Sequence, residues 1–233
     1  MLIDLNADLG EGDGTDADLM PLITSANISC GMHAGNPDTI AAALELAKAH
    51  GVAVGAHPGY ADREHFGRRE MHLPGQALHQ LLTHQLHQFD LTAQEKGLLV
   101  RYIKPHGALY NQACRDSHVA GPLVLACHAM KTGPVVGLPG SELAKAATEC
   151  DFPFIPEGFA DRRCRPDGSL VPRTEPDALI HDPKEAVEQV EWLIGKKRVR
   201  TVCVHGDTPG AVEFVRAVRG FLLDRGNEVK AFA

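Results

Sequence analysis

Short apolar runs alternate along this chain with longer stretches of helical periodicity, and most of the apolar runs stop abruptly on a charged or imidazole side chain. Leu5-Asn6-Ala7-Asp8-Leu9-Gly10-Glu11, Ile28-Ser29-Cys30-Gly31-Met32-His33, Val54-Gly55-Ala56-His57 and Ile103-Lys104-Pro105-His106 have this form. So do Phe154-Ile155-Pro156-Glu157 and Val202-Cys203-Val204-His205-Gly206-Asp207, whereas Val135 to Ser141 ends on a turn-like Pro139-Gly140. The pattern predicts strands over 2–9, 26–31, 52–56, 99–104, 134–138, 152–156 and 200–204, with a short last run at 228–232. Helices are predicted over 39–50, 75–96, 141–149, 184–194 and 210–225, with helical segments through 108–131. Asn36-Pro37 supplies the cap and first turn of the first of these, and Gly51 its end.

Repeated strand-helix units imply a parallel sheet covered by helices. An open doubly wound sheet would gather its site at one switch point and often cradle phosphate on a glycine-rich loop. Here the first loop, Gly10-Glu11-Gly12-Asp13-Gly14, is acidic and repels phosphate, and polar residues end nearly every strand. The expected fold is therefore an α/β, TIM-like (β/α) barrel of seven or eight parallel strands, with its site at the strand ends. Nothing marks a domain boundary, so residues 1–233 read as one barrel domain. Two long loops, 59–74 and 159–182, are candidate lids or clamps.

A net charge of −7 argues against a nucleic-acid partner, and no apolar run is long enough to cross a bilayer. The amino terminus lacks signal-peptide character, which gives a cytoplasmic expectation. The six cysteines form no Cys-x-x-Cys pair, and Cys30 and Cys203 read as small core residues.

The chemistry expected at the strand ends centres on Asp8, Glu11, His33, His57, Lys104, His106, Glu157 and Asp207. Asp8, His33 and His57 are nitrogen and oxygen donors suited to a divalent metal. Lys104 and His106, two residues apart, share one side of a strand, where a buried lysine beside carboxylates stays charged. Glu157 and Asp207 would divide into acid and base across a pocket, although Asp207 before Thr208-Pro209-Gly210 equally suits a helix start. Of the loop arginines, Arg162 beside Asp161 is the leading anion ligand and Arg63 a further one. His79, His84 and His87 lie on a leucine-rich amphipathic stretch and read as solvated.

Taken in order, Asp4 to Glu11, Ser25 to Gly35, Gly55-Ala56-His57-Pro58, Lys104-Pro105-His106-Gly107-Ala108-Leu109-Tyr110, Phe159-Ala160-Asp161-Arg162 and Val204-His205-Gly206-Asp207 resemble the LamB/YcsF family over essentially the whole chain. The resemblance implies an irregular barrel of the glycoside hydrolase/deacetylase kind and ring opening of 5-oxo-L-proline to L-glutamate. It further implies ATP as cosubstrate with Mg, and separate B and C subunits. Asn6, Arg63, Arg162 and His205 then become substrate- or phosphate-binding residues, with Asp8, His57 or Glu157 positioning water. Arg163-Cys164 departs from the family pattern after Ala-Asp-Arg. No Walker-type Gly-x-x-x-x-Gly-Lys-Ser/Thr loop is present. Competing expectations are a metal-dependent deacetylase or amidohydrolase working without ATP, and a noncatalytic subunit that binds substrate. A homo-oligomer is compatible with all three.

Overall fold

The computed structural model describes residues 1–233 except Thr132 and Pro209, the latter part of the predicted helix-start signal. Seven parallel strands form a closed ring: β1 (Leu2–Leu9), β2 (Ser25–Ser29), β3 (Ala53–His57), β4 (Val100–Ile103), β5 (Val135–Gly137), β6 (Phe154–Phe159) and β7 (Thr201–His205). Strand β1 closes it, pairing Asn6 to Ser25 through Leu9 to Ile28 on β2 and Asp4 to Thr201 through Asp8 to His205 on β7. The last run forms only β8 (Glu228–Val229), which pairs with Leu2 and Ile3 and adds no eighth stave. The question of seven or eight strands thus resolves to seven.

Around the ring lie α1 (Asp16–Leu19), α2 (Pro37–His50), α3 (Gly75–Glu95), α4 (Gly107–Arg115), α5 (Ser117–Met130), α6 (Glu142–Glu149), α7 (Pro183–Trp192) and α8 (Ala211–Asp224). Helix α2 starts where the sequence places it. Asn36 Oδ1 accepts from the Asp38 and Thr39 amides at 2.9 and 3.0 Å, and Thr39 Oγ1 accepts from the Asn36 amide at 2.9 Å. The helical segments predicted through 108–131 are α4 and α5, separated at Asp116, whose carboxylate caps α5 by accepting from the His118 amide. None of the described helices is long and apolar enough to cross a membrane.

Side chains alternate across a strand, and here the alternation sends apolar residues outward and polar ones inward. Ile3, Leu5, Ala7 and Leu9 of β1 join the helix-facing core with Ala26 and Ile28 of β2 and Val202 and Val204 of β7. The interleaved Asp4, Asn6, Asp8, Ser25, Asn27 and Thr201 are all buried and bond to one another inside the barrel. Where most barrels of this class pack branched aliphatic layers, this one carries a polar shaft. Among the described residues, apolar filling inside the ring is confined to two small groups, Tyr102 with Val136 and Ile155, and Tyr110 with Leu138, Phe159 and Cys203.

Candidate active site

Inside the shaft, Lys104 sits just past β4 with its ammonium fully enclosed. Nζ donates to Asp8 Oδ1 at 2.9 Å, to Asn6 Oδ1 at 3.3 Å and to Cys203 Sγ at 3.0 Å, and lies 3.2 Å from Glu157 Oε1. Asn6 Nδ2 donates onward to Glu157 Oε1 at 3.0 Å and Thr201 Oγ1 at 2.6 Å, while Asn27 Nδ2 donates to both Asn6 and Asp8. Burial works against the Lys104 charge, but Asp8, the Cys203 sulfur and Glu157 outweigh it and hold the ammonium well above its ordinary pKa. Asp8 shows the converse: burial pushes it up, and His57 and Lys104 override that to leave a firm carboxylate. Burial dominates at Cys203, so its thiol stays neutral beside the ammonium.

Next to Asp8 stands a second cluster, made from the ends of three strands and the glycine-rich loop. Gly10, at φ +71°, turns the chain back after β1. Glu11 Oε1 then lies 3.0 Å from His33 Nε2, 3.1 Å from His106 Nδ1 and 3.7 Å from His57 Nε2. The His33 and His106 rings stack at 3.9 Å, with Gly67 packed so closely that a Cβ there would lie 2.7 Å from His33 Cβ. Two rings are oriented by main-chain carbonyls: His57 Nδ1 donates to Lys104 O at 2.7 Å and His106 Nε2 donates to Phe66 O at 2.8 Å. Their inner nitrogens face each other at 3.0 Å. Two lone pairs at that separation repel, so a cation must stand between them, either a proton or a metal ion. Burial drives His33 down to about 3 and also lowers His106, whereas Asp8 raises His57 against burial; in the metal-free cluster the proton therefore resides on His57.

The four groups whose ligand atoms lie within 4.8 Å of one another are Glu11, His33, His57 and His106. This set replaces the Asp8, His33 and His57 grouping expected from residue type alone. Asp8 reaches His57 Nε2 at 3.4 Å but faces Lys104 with its other oxygen, and belongs to a neighbouring group with Cys203 and His205.

Above both clusters opens a pocket bordered by Asp8, His57, Lys104, Tyr110, Arg162 and His205. His205 is held by Asp161, whose Oδ2 lies 3.0 Å from Nδ1, leaving Nε2 facing Asp8 Oδ2 at 3.8 Å. Asp161 is fully buried and takes further donors from the His205 amide and Thr208 Oγ1; burial alone would raise it, and His205 brings it below the usual range. The Asp161–His205 pairing is a contact that residue types alone do not reveal, although both residues lie in the motifs that carry the family resemblance. Glu157 is in the shaft beneath the pocket, not across it from Asp207. Asp207 instead lines a separate groove, bonded to Arg68 and 3.5 Å from Arg173. It is not the cap of α8, which starts after Gly210 without a side-chain cap. Arg63 is engaged elsewhere, donating to Gly31 O and Gly35 O at 2.6 Å, so its guanidinium secures the loop after β2 and faces a separate groove. His84 and His87 are exposed and His79 half-buried, away from the site.

A relative from Thermus thermophilus, described as the A subunit of 5-oxoprolinase, is 42% identical over 250 aligned positions covering all of both chains. The crystal structure of a lactam utilization protein, also from Thermus thermophilus, superposes with a TM-score of 0.91 at 40% identity, again over both chains in full. The catalytic domain of a peptidoglycan N-acetylglucosamine deacetylase from Eubacterium rectale reaches a TM-score of 0.56 at 14% identity, covering 99% of this chain and 88% of that one; this likeness is one of fold. The LamB/YcsF family model matches residues 3–233, which spans every strand end described above, and the chain belongs to the LamB/YcsF family.

Proposed function

We propose that this chain is the A subunit of an ATP-dependent 5-oxoprolinase, opening 5-oxo-L-proline to L-glutamate in the cytoplasm together with B and C subunits. The observation that carries this reading is the full-length 42% identity to a relative bearing that name. The pocket agrees with it, combining a buried ammonium with an arginine nitrogen that has no partner among the described residues. A five-membered lactam is a stabilised amide and resists water. Transfer of the γ-phosphoryl group of ATP, with Mg, to the lactam oxygen gives an imidoyl phosphate and ADP; water then adds at that carbon, the ring C–N bond breaks to free the amine and leave a γ-glutamyl phosphate, and a second water hydrolyses that acyl phosphate to L-glutamate and phosphate. In this scheme Lys104 faces the lactam or phosphoryl oxygen and Arg162 the substrate carboxylate. His205, oriented by Asp161, removes a proton from the attacking water at Nε2, and Asp8 positions that water. ATPase and glutamate assays on the chain alone and with candidate B and C subunits, with and without 5-oxoproline, test the reading. ATP hydrolysis indifferent to 5-oxoproline would overturn it.

The histidine cluster supports a second reading, a metal-dependent amidohydrolase or deacetylase without ATP. Glu11, His33, His57 and His106 supply one carboxylate and three imidazoles, the donor chemistry of a divalent transition metal, and two of the rings are pre-set by carbonyls with lone pairs inward. Bound there, such an ion supplies Lewis acidity at the pocket wall. Metal analysis of the purified chain, and activity on acylated amines before and after chelation, separate this reading from the first.

A further inference from the structure

Three guanidinium groups lie close to one another beside the pocket: Arg162 borders it, Arg68 Cγ lies 3.7 Å from where a Cβ would stand on the pocket residue Gly107, and Arg68 and Arg173 together hold the carboxylate of Asp207. Arg162, at the start of the loop after β6, is only 4% exposed and borders the pocket. Its Nη2 donates to Val171 O at 2.9 Å, while its Nε is buried without a hydrogen-bond partner among the described residues. Arg173 comes from the same loop and Arg68 from the loop after β3, and both carry their charge close enough to Arg162 to depress its pKa, after burial, to about 10. The neighbouring Asp161 offers partial relief, but its oxygens are engaged by His205 and Thr208. Asp207, from the loop after β7, is held by both Arg68 and Arg173 through Oδ2.

We propose that Arg162, Arg173 and Arg68 form an oxyanion clamp for the ligand, and that Asp207 is an internal counter-anion which the ligand's anionic group displaces. A buried, unpaired Nε–H in a pocket wall is stabilised by an acceptor, and a guanidinium presents it in a fork suited to a carboxylate or a phosphoryl group. Like charges crowded about Arg162 add a driving force for recruiting negative charge. Asp207 keeps the free site from carrying that repulsion alone, at the cost of competing with the ligand. The proposal rests on this pocket being the substrate site, but leaves open to experiment whether the recognised oxyanion is a substrate carboxylate or a phosphoryl group. On this view Asp207 is a positioning residue that acts through Arg68 and Arg173.

Calorimetric titration of the full chain with 5-oxoproline, with pyrrolidin-2-one as the same ring lacking the carboxylate, and with inorganic phosphate tests it. We expect Arg162→Gln and the more exposed Arg173→Gln to weaken anion binding by at least about tenfold and to leave any pyrrolidin-2-one affinity unchanged. Asp207→Asn should tighten anion binding several-fold, a sign that damage to a loop would not produce. Wild-type binding of phosphate but not 5-oxoproline supports the clamp with phosphoryl as its ligand, and removes support from the substrate reading. Binding of 5-oxoproline that neither arginine variant weakens and Asp207→Asn does not tighten overturns the clamp while leaving the substrate reading standing. Binding of neither anion overturns the clamp outright.

Discussion

The barrel holds two charged clusters side by side, and they solve burial in opposite ways. Around Lys104, an ammonium is matched by Asp8 and Glu157, with Asn6 and Asn27 filling the remaining hydrogen bonds, so the charges are fixed. Around Glu11, three imidazoles face one carboxylate, two of them depressed by burial, and the positive charge opposite it is a proton on His57, which can exchange. Asp8 touches both, bonding to Lys104 through one oxygen and approaching His57 through the other. The lesson is that a carboxylate's neighbours decide its work: lysine makes it a permanent counter-charge, and histidine makes it part of a proton or metal site.

The sharpest way to break the comparison is to remove the fixed charge. Lys104→Met leaves the buried Asp8 and Glu157 carboxylates without their shared cation, and loss of one partner of a buried ion pair costs about 3–5 kcal/mol. At about 2–4 °C per kcal/mol for a domain of this size, thermal unfolding should show a fall on the order of 10 °C, with turnover in the complete complex abolished. A variant that melts with wild type would mean that the shaft takes up water or protons and that its charges are not fixed.

The exchangeable cluster should respond in affinity more than in stability. Zinc titration of the wild-type chain should show one tight site, and Glu11→Gln or His106→Ala should weaken it at least about tenfold. Asp8→Asn should leave zinc binding largely intact, since Asp8 stands outside the four-residue set. Zinc affinity that falls with Asp8→Asn but not with Glu11→Gln would restore the Asp8, His33 and His57 grouping.

Acidity distinguishes the clusters further. His33 stays neutral in the folded chain down to about 3, whereas its ordinary value is 6.5. Below 6.5 the unfolded chain therefore takes up a proton that the native chain does not, so stability is fully present above 6.5 and falls as the pH drops toward 3. His106, lowered in the same direction, adds to that slope. Denaturant midpoints measured across this window should decline for wild type and decline less steeply for His33→Gln, with Asp4, raised by burial to about 6, working against the decline in both. Lys104, with its pKa raised, contributes no slope there.

How much of this could be read in the sequence follows from the same geometry. Strand ends were legible because apolar runs stop on polar residues, and the Asn36-Pro37 start and Gly51 end of α2 were written in local chemistry. The convergence of Asp8, Lys104, His57 and His106 follows from strands that point one way. What stayed hidden depends on contacts between distant segments. Glu11 enters the histidine cluster through the turn at Gly10, Asp161 acts by reaching the end of the next strand, and Arg63 satisfies two carbonyls of another loop. The inward polar set of β1 and β7, Asp4, Asn6, Asp8, Thr201, Cys203 and His205, was visible as a period of two, but its direction is fixed only when the ring closes.

Cys203 gives the finest test of the boundary between the clusters, because it belongs to the fixed one by position and to the apolar filling by chemistry. Its Sγ is 3.0 Å from Lys104 Nζ, and its other neighbours include Tyr110, Leu138 and Phe159. Burial raises the thiol pKa well beyond its ordinary value despite the ammonium, so it accepts weakly and carries no charge. A neutral sulfur adds little to an ammonium already matched by Asp8 and Glu157. Cys203→Ser keeps an acceptor at that point and exchanges some apolar packing for a hydroxyl, and the two changes should nearly cancel, within about 1 kcal/mol. Cys203→Ala removes the acceptor while leaving both carboxylates in place, and should cost only the modest packing loss of one small buried group. A loss from Cys203→Ala approaching that of Lys104→Met would show that the ammonium depends on sulfur as well as on the carboxylates. The fixed cluster would then extend across the barrel to β7.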